Sequence, residues 1–403
     1  MILVMAWRNI WRNKMRSLVI LFSIALGLFA GIAVLALYKG MMSSRVRTVI
    51  DEEVAHIQMH HPQFKKDYEP VYLLQNASTI VEQIKKLPQV KAVAERSIAQ
   101  GMLSTPTGST GVQINGIEPS IEYTFSLLKE KLKDGKGFTD KKQEILIGRK
   151  LADKMKLKTG SKLVLTFTDT SNSIISGAFK VAGIYESNNT KLDEQQVYVR
   201  KDELNWLLGF QTVTHEIAIL LHKDEDLDQI AQQLKQATPF VLTETWKDIS
   251  PETDLMVKTV DDYSYIIMII IMLALAFGII NTMLMAIIER TREVGMMTAL
   301  GTSKIRIFLL VVTETVLLTL AGTPVGVFTG WIITNYYHQR GLDLSGMGKE
   351  MMSSFGFRTM IFPEFPSDKI FYVFLIVVST AILSGIFPAI RALRMKPIDA
   401  LRI

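Results

Sequence analysis

The segment Glu289-Arg-Thr-Arg-Glu-Val-Gly-Met-Met-Thr-Ala-Leu-Gly301 separates two apolar runs, Tyr263 to Ile288 and Ile307 to Asn335. The first run holds no charge over 26 positions. At about 1.5 Å per residue this is roughly 39 Å of helix, enough to cross a hydrocarbon layer of about 30 Å with tilt. The second run carries one charge, Glu314. Together they predict a transmembrane hairpin closed by a short charged connector. The connector reads as an amphipathic helix at the membrane surface. Val294, Met297, Ala299 and Leu300 offer apolar contacts, Glu289 and Glu293 fall at i and i+4, and Gly295 and Gly301 supply close approach and termination. Such a helix suits a groove on another protein. Without a partner it reads as a positively flanked loop in which Arg290, Arg292, Lys304 and Arg306 satisfy the positive-inside rule, but that rule asks for neither the glutamate pair nor the glycine pair.

The 403-residue chain as a whole is 48% apolar, with a mean hydropathy of +0.23, and the excess is local. Ser17 to Tyr38 and Ile370 to Ile390 are further charge-free runs, so the expected fold is a membrane protein with four transmembrane α-helices. Residues 1–16 read as an amphipathic helix on the cytoplasmic side: Trp7 and Trp11, and Arg8 and Arg12, recur at i and i+4, which suits the headgroup layer. The run that follows is too long for a cleaved signal. The expected order is span one at 17–38, span two at 263–288, a coupling helix at 289–304, span three at 307–335, a short outer loop at 336–369, span four at 370–390 and an inside tail at 391–403. Net charge of +6 is accounted for by inside loops and anionic lipid, so nucleic-acid binding is not indicated. The absence of cysteine excludes disulfides, thiolate metal sites and a catalytic cysteine.

Residues 40–262 form a large polar insertion between spans one and two, expected as an extracytoplasmic α+β domain with stalks. Val54 to His61 alternates as a strand, Ser78 to Leu87 reads as a helix, and Val112 to Ile117 as a strand. Glu144 to Gly148, Leu163 to Thr168, Phe179 to Tyr185, Gln196 to Val199, Glu216 to Leu221 and Phe240 to Thr243 are further expected strands, with helices at Lys150 to Leu157 and Leu227 to Ala237. His56, His60 and His61 invite a metal reading, but strand alternation and the lack of a carboxylate favour solvent-facing residues, and no metal is expected. Glu314 is an intramembrane carboxylate, a functional candidate that either faces the bundle interior or snorkels and bonds a neighbour such as Thr313 or Thr315. No phosphate-binding loop or hydrolase motif occurs, so no catalytic residue is expected in this chain.

The connector pattern, the opening Ala6-Trp-Arg-Asn-Ile-Trp-Arg-Asn-Lys-Met-Arg-Ser17 and the tail Pro388 to Arg402 resemble ABC-transporter permeases of the MacB/FtsX type. In the insertion, Ile114-Asn-Gly-Ile-Glu-Pro119, Ile145 to Ala152 and Phe179 to Tyr185 resemble the lipoprotein-releasing Lol permeases within that type. The resemblance implies a permease subunit in a bacterial inner membrane with both termini cytoplasmic. ATP and Mg would be bound by a partner ABC ATPase dimer, with no cofactor in this chain, and a second permease copy or homologue would complete the path. Glu289, Arg290, Arg292, Glu293, Gly295, Ala299 and Gly301 would couple to the ATPase. The implied activity is extraction of lipoproteins for a periplasmic carrier, docked by a hook matching Thr168 to Ala178, with Thr168, Asp169, Asn172, Ile174 and Ile175 at its tip; these residues also read as a plain polar turn. Acyl chains would lie in a groove of Leu26, Phe29, Ile269, Leu273 and Phe277. Alternatives within the type are MacB-like export and FtsX-like regulation of a cell-wall hydrolase.

Overall fold

In a computed structural model, which describes residues 2–394 apart from 13, 140 and 211, four helices are long and apolar enough to cross a membrane. They are Lys14–Thr48, Pro251–Glu289, Lys304–Arg340 and Ile370–Leu393, spans one to four. Each overruns its charge-free stretch, because lack of charge marks the hydrocarbon length whereas helical hydrogen bonding continues beyond it. Span two, for instance, begins at Pro251, whose fixed φ and missing N–H suit a first helical position. The tail beyond residue 394, with its predicted inside-facing basic residues, lies outside the described residues.

The chain divides into two compact units, the first made of residues 1–42, 257–343 and 360–403. In it the helix Ile2–Arg12 turns into span one, where the Ser17 hydroxyl donates to the Ile10 carbonyl at 2.7 Å. The spans bury Ile24, Leu28, Met272, Leu318, Val373 and Val377 together. Span three packs on span one through Gly322, Gly326 and Gly330, where added Cβ atoms would meet Ile24, Leu28 and Ile32 at 3.1, 2.8 and 3.0 Å. Small residues every fourth position let two helix backbones approach, which is how apolar helices associate in lipid. On the same helix the hydroxyls of Thr315, Thr319 and Thr323 donate to carbonyls four residues back, so these buried polar groups are satisfied locally.

The second unit, residues 43–256 with 344–359, is the inserted α+β domain. Its strands are β1 (Ile57–His60), β2 (Val90–Thr105), β3 (Gly108–Ile117), β4 (Leu132–Gly135), β5 (Glu144–Gly148), β6 (Lys162–Thr168), β7 (Ile174–Tyr185), β8 (Gln196–Arg200), β9 (Glu216–Leu221) and β10 (Leu242–Thr245). They form one sheet ordered β10, β1, β9, β2, β3, β8, β5, β7, β4, with β6 on β2 and β7. β2 pairs with β9 up to Arg96 and with β3 from Ser97 onward. One long strand thus serves two cores: Ile57, Met59, Ile84, Ile219 and Ile230 on one side, and Leu103, Ile114, Ile145, Leu165 and Val197 on the other.

Three expectations are corrected. The strand expected at 240–243 lies at Leu242–Thr245, and Phe240 is exposed. Val54 belongs to a π-helical turn, Val49–Val54, that ends the span-one helix, so the first strand starts only at Ile57. Residues 344–359, expected within a plain outer loop, are part of the inserted domain.

Candidate functional site

The connector is built from a break, a short helix and a cap. Arg290 leaves helical geometry (φ −101°, ψ 18°), Thr291–Ala299 is helical, and the chain stops at Gly301 (φ +85°). Gly301 N–H bonds the Thr298 carbonyl at 3.1 Å and Thr302 N–H the Met297 carbonyl at 3.0 Å, a Schellman closure that needs the left-handed conformation glycine adopts freely. The predicted coupling helix, 289–304, is therefore shorter. Glu289 ends span two while Glu293 lies in the next helix, so the two do not form an i, i+4 pair on one helix.

Two faces result. Val294 and Gly295 are buried and Met297 packs on the transmembrane core, whereas Arg292, Met296, Ala299 and Leu300 are exposed, Leu300 at 86%. Glu289 and Gly301 are also exposed. Arg290 and Glu293 turn toward the chain itself. Arg290 Nη1 donates to Glu314 Oε1 and Oε2 at 3.2 and 3.4 Å, its Nη2 donates to the Asn9 carbonyl at 3.0 Å, and Glu293 pairs with Arg12. Glu314 is 5% exposed and faces this joint. It neither snorkels nor takes the Thr315 hydroxyl, which bonds the Val311 carbonyl instead. A cavity of about 40 Å³ lined by Met283, Ile287, Met297 and Val311 adjoins the ion pair, enough room for water.

In the inserted domain the expected hook is the β6–β7 hairpin. Asp169 Oδ1 accepts the N–H groups of Ser171 and Ser173 at 2.8 Å each, and Asn172 takes a left-handed φ of +58°. The turn is thereby closed by its own aspartate, leaving Ile174 77% exposed while Ile175 packs inward. Thr168 ends β6 opposite Ile174. The other end of β7 runs into loop 186–190. There Asn188 binds the Glu52 carboxylate through backbone and side chain, at 2.9 and 2.7 Å, and Asn189 binds Glu53 at 2.8 Å. Glu53 also takes Arg45 at 2.6 Å. Arg358 reaches Asp51 at 3.0 Å, and Lys349 reaches Glu186 at 2.8 Å. Loop 186–190, the π-helical turn and the returning segment 344–359 thus share one polar joint. Burial raises Asp193 to about 6 beside it. Sequence reading missed this joint; its one signal was the acidic run Asp51-Glu52-Glu53 just past span one.

The expected solvent-facing histidines are covered: His56 and His60 are buried, His60 stacking on Phe64, and His61 is half-buried against Tyr72. His56 lies 3.0 Å from Asp224 and His60 3.1 Å from Glu216. Glu216 also receives Arg96 at 2.9 Å. Burial pushes its pKa up, but His60 and Arg96 outweigh that and hold it near 2. Of the expected groove residues, Leu26, Ile269, Leu273 and Phe277 lie on uncovered faces of spans one and two, and Phe29 is half-buried.

Four membrane-crossing helices with an α+β domain between the first two, and a capped connector helix between the second and third, define a multi-pass permease architecture. Residues 17–237 match the MacB-like periplasmic core domain and residues 265–397 the FtsX-like permease C-terminal family. The chain belongs to the MacB/FtsX superfamily of ABC transporter permeases. It is 24% identical to an uncharacterised ABC transporter permease of Methanocaldococcus jannaschii, covering 100% of this chain and 97% of the relative. It is 22% identical to the lipoprotein-releasing system transmembrane protein LolC of Xylella fastidiosa, over 97% of this chain and 95% of the relative. With the macrolide export ATP-binding/permease protein MacB of Shigella boydii the identity is 23%, over 99% of this chain and 60% of the relative.

Proposed function

We propose that this chain is the permease subunit of an ATP-driven mechanical transporter. It sits in the cytoplasmic membrane of a bacterium with both termini inside, pairs with a second permease, and is driven by an ATPase dimer that binds ATP and Mg. The observation that carries this reading is the outward face of the connector. Arg292, Met296, Ala299 and Leu300 share one side of a short helix whose other side is packed. An exposed leucine and methionine with a cationic flank fit an apolar cleft with an acidic rim. Replacing Leu300 or Met296 by Asp is expected to reduce recovery of the ATPase in mild detergent about tenfold or more; unchanged recovery refutes the assignment.

The cargo reading is extraction of lipoproteins for a soluble carrier. Its support is the hairpin tip, where Asp169 rigidifies the turn and Ile174 stands exposed, together with similarity to LolC over nearly the whole chain. Export of a drug or peptide is the second reading, favoured by the tryptophan-rich opening helix and the equal similarity to MacB. Crosslinked purification and mass spectrometry separate them. Acylated lipoproteins and a periplasmic carrier support release. A periplasmic adaptor with an outer-membrane channel replaces it by export.

A further inference from the structure

We infer that Arg290 is a positioning residue, and that its ion pair with Glu314, held to the Asn9 carbonyl, delivers displacement of the connector helix to span three. The inference rests on the coupling role proposed above and adds to it the internal joint that coupling requires. Three placements carry it. Arg290 is the residue at which span two ends and the connector helix begins, so a push on that helix acts first on its backbone. Its guanidinium then touches two further elements at once, span three through Glu314 and the N-terminal helix through Asn9. A planar fork with donors on both edges can hold two acceptors in fixed directions, which an ammonium cannot. Finally, the ion pair is buried beside the apolar side chains Met283, Ile287, Met297 and Val311. Charges in such surroundings resist separation, because parting them leaves each one desolvated.

The N-terminal helix reinforces the joint from the other side. Arg12 pairs with the half-exposed Glu293 one turn along the connector, so the connector is tied to the chain at two positions while Arg292, Met296 and Leu300 stay outward. Engagement with a motor and transmission to the spans therefore use different residues of one short connector. The division predicts separable defects. Outward-face variants lose the ATPase, and joint variants keep it but stop responding to it.

The test uses the neutral double variant Arg290→Gln/Glu314→Gln, which removes the joint without stranding a buried charge, beside Arg290→Lys, which keeps the charge and loses the fork. The chain has no cysteine, so spin labels at Ala299→Cys and Leu320→Cys report directly on the connector and span three in the full-length protein. The double variant is expected to broaden the label-to-label distance distribution in the absence of any partner, and Arg290→Lys to broaden it partially. In the purified complex, the double variant is expected to retain ATPase recovery and to lose about tenfold in transport per ATP hydrolysed. An unchanged distance distribution, or transport within about twofold of the native complex, overturns the joint. Failure of the native chain to recover an ATPase overturns the coupling reading instead, and the distance measurement still decides whether the ion pair fixes the connector to span three.

Discussion

His215 and Asp193 are buried ionisable residues whose contributions to stability respond to pH in opposite senses. His215 accepts the Ile98 N–H at Nδ1 (3.0 Å) and lies 3.0 Å from the Pro70 carbonyl through Nε2; burial brings its pKa down to about 4. Its folded pKa is below the unfolded value of about 6.5, so its contribution is complete above that value and falls as pH drops from about 6.5 toward 4. Burial raises Asp193 to about 6, above an unfolded value of about 3.9. The folded form therefore takes the proton first, and this contribution grows as pH falls through the same window. The two slopes, each at most about 1.4 kcal/mol per pH unit, largely cancel. Denaturant midpoints of the full chain between pH 6.5 and 4.5, followed by tryptophan fluorescence, check this. Relative to the native protein, His215→Gln should gain stability toward acid and Asp193→Asn should lose it; parallel slopes refute the assignment. Legibility also divided by residue. Gly301 was readable as a stop because its need is local, whereas the partner of Glu314 lay 24 residues away on a connector whose bend at Arg290 has no proline or glycine to mark it.

Among the elements, span three is held to span one by glycine and not by large side chains. A Cβ on Gly326 would come within 2.8 Å of both the Ala25 carbonyl oxygen and Leu28 Cβ, and backbone cannot retreat as a side chain can. Gly326→Ile is expected to cost about 1–3 kcal/mol, read as a lowered thermal midpoint in detergent. Gly278→Ala, where a Cβ meets nothing within 4 Å, should leave that midpoint in place or raise it slightly; equal losses in both would show that the glycine stripe does not set the packing. The four apolar runs announced the spans because hydrocarbon demands uninterrupted apolar length. β2 gave no such announcement. Val90-Lys-Ala-Val-Ala-Glu-Arg-Ser carries Lys91, Glu95 and Arg96, and its inward face changes as it passes from β9 to β3, so no single alternation runs through it. For β1 the alternation was real, but it could not reveal that Phe64 would stack on His60 or that Asp224 and Glu216 would meet the histidines.

At the scale of the whole molecule, the inserted domain is discontinuous, with 344–359 joined to 43–256. Arg358 to Asp51, Lys349 to Glu186 and Thr190 to Ser353 tie the returning segment in place, and Gly356 (φ +72°) lies over the buried Arg45 guanidinium, where a Cβ would come within 2.7 Å. Replacing 344–359 by a flexible Gly/Ser linker of equal length should expose loop 186–190 and raise its protease sensitivity in the full-length chain. Unchanged cleavage would mean that the segment is not needed to order the joint.

The same discontinuity sets a timetable. Arg358 is synthesised about a hundred residues after Met256 closes the larger piece, which at about 5–20 residues per second is a delay of roughly 5–20 s. Over that interval Asp51 waits without Arg358, and the domain's final shape is reached only after span three has been made.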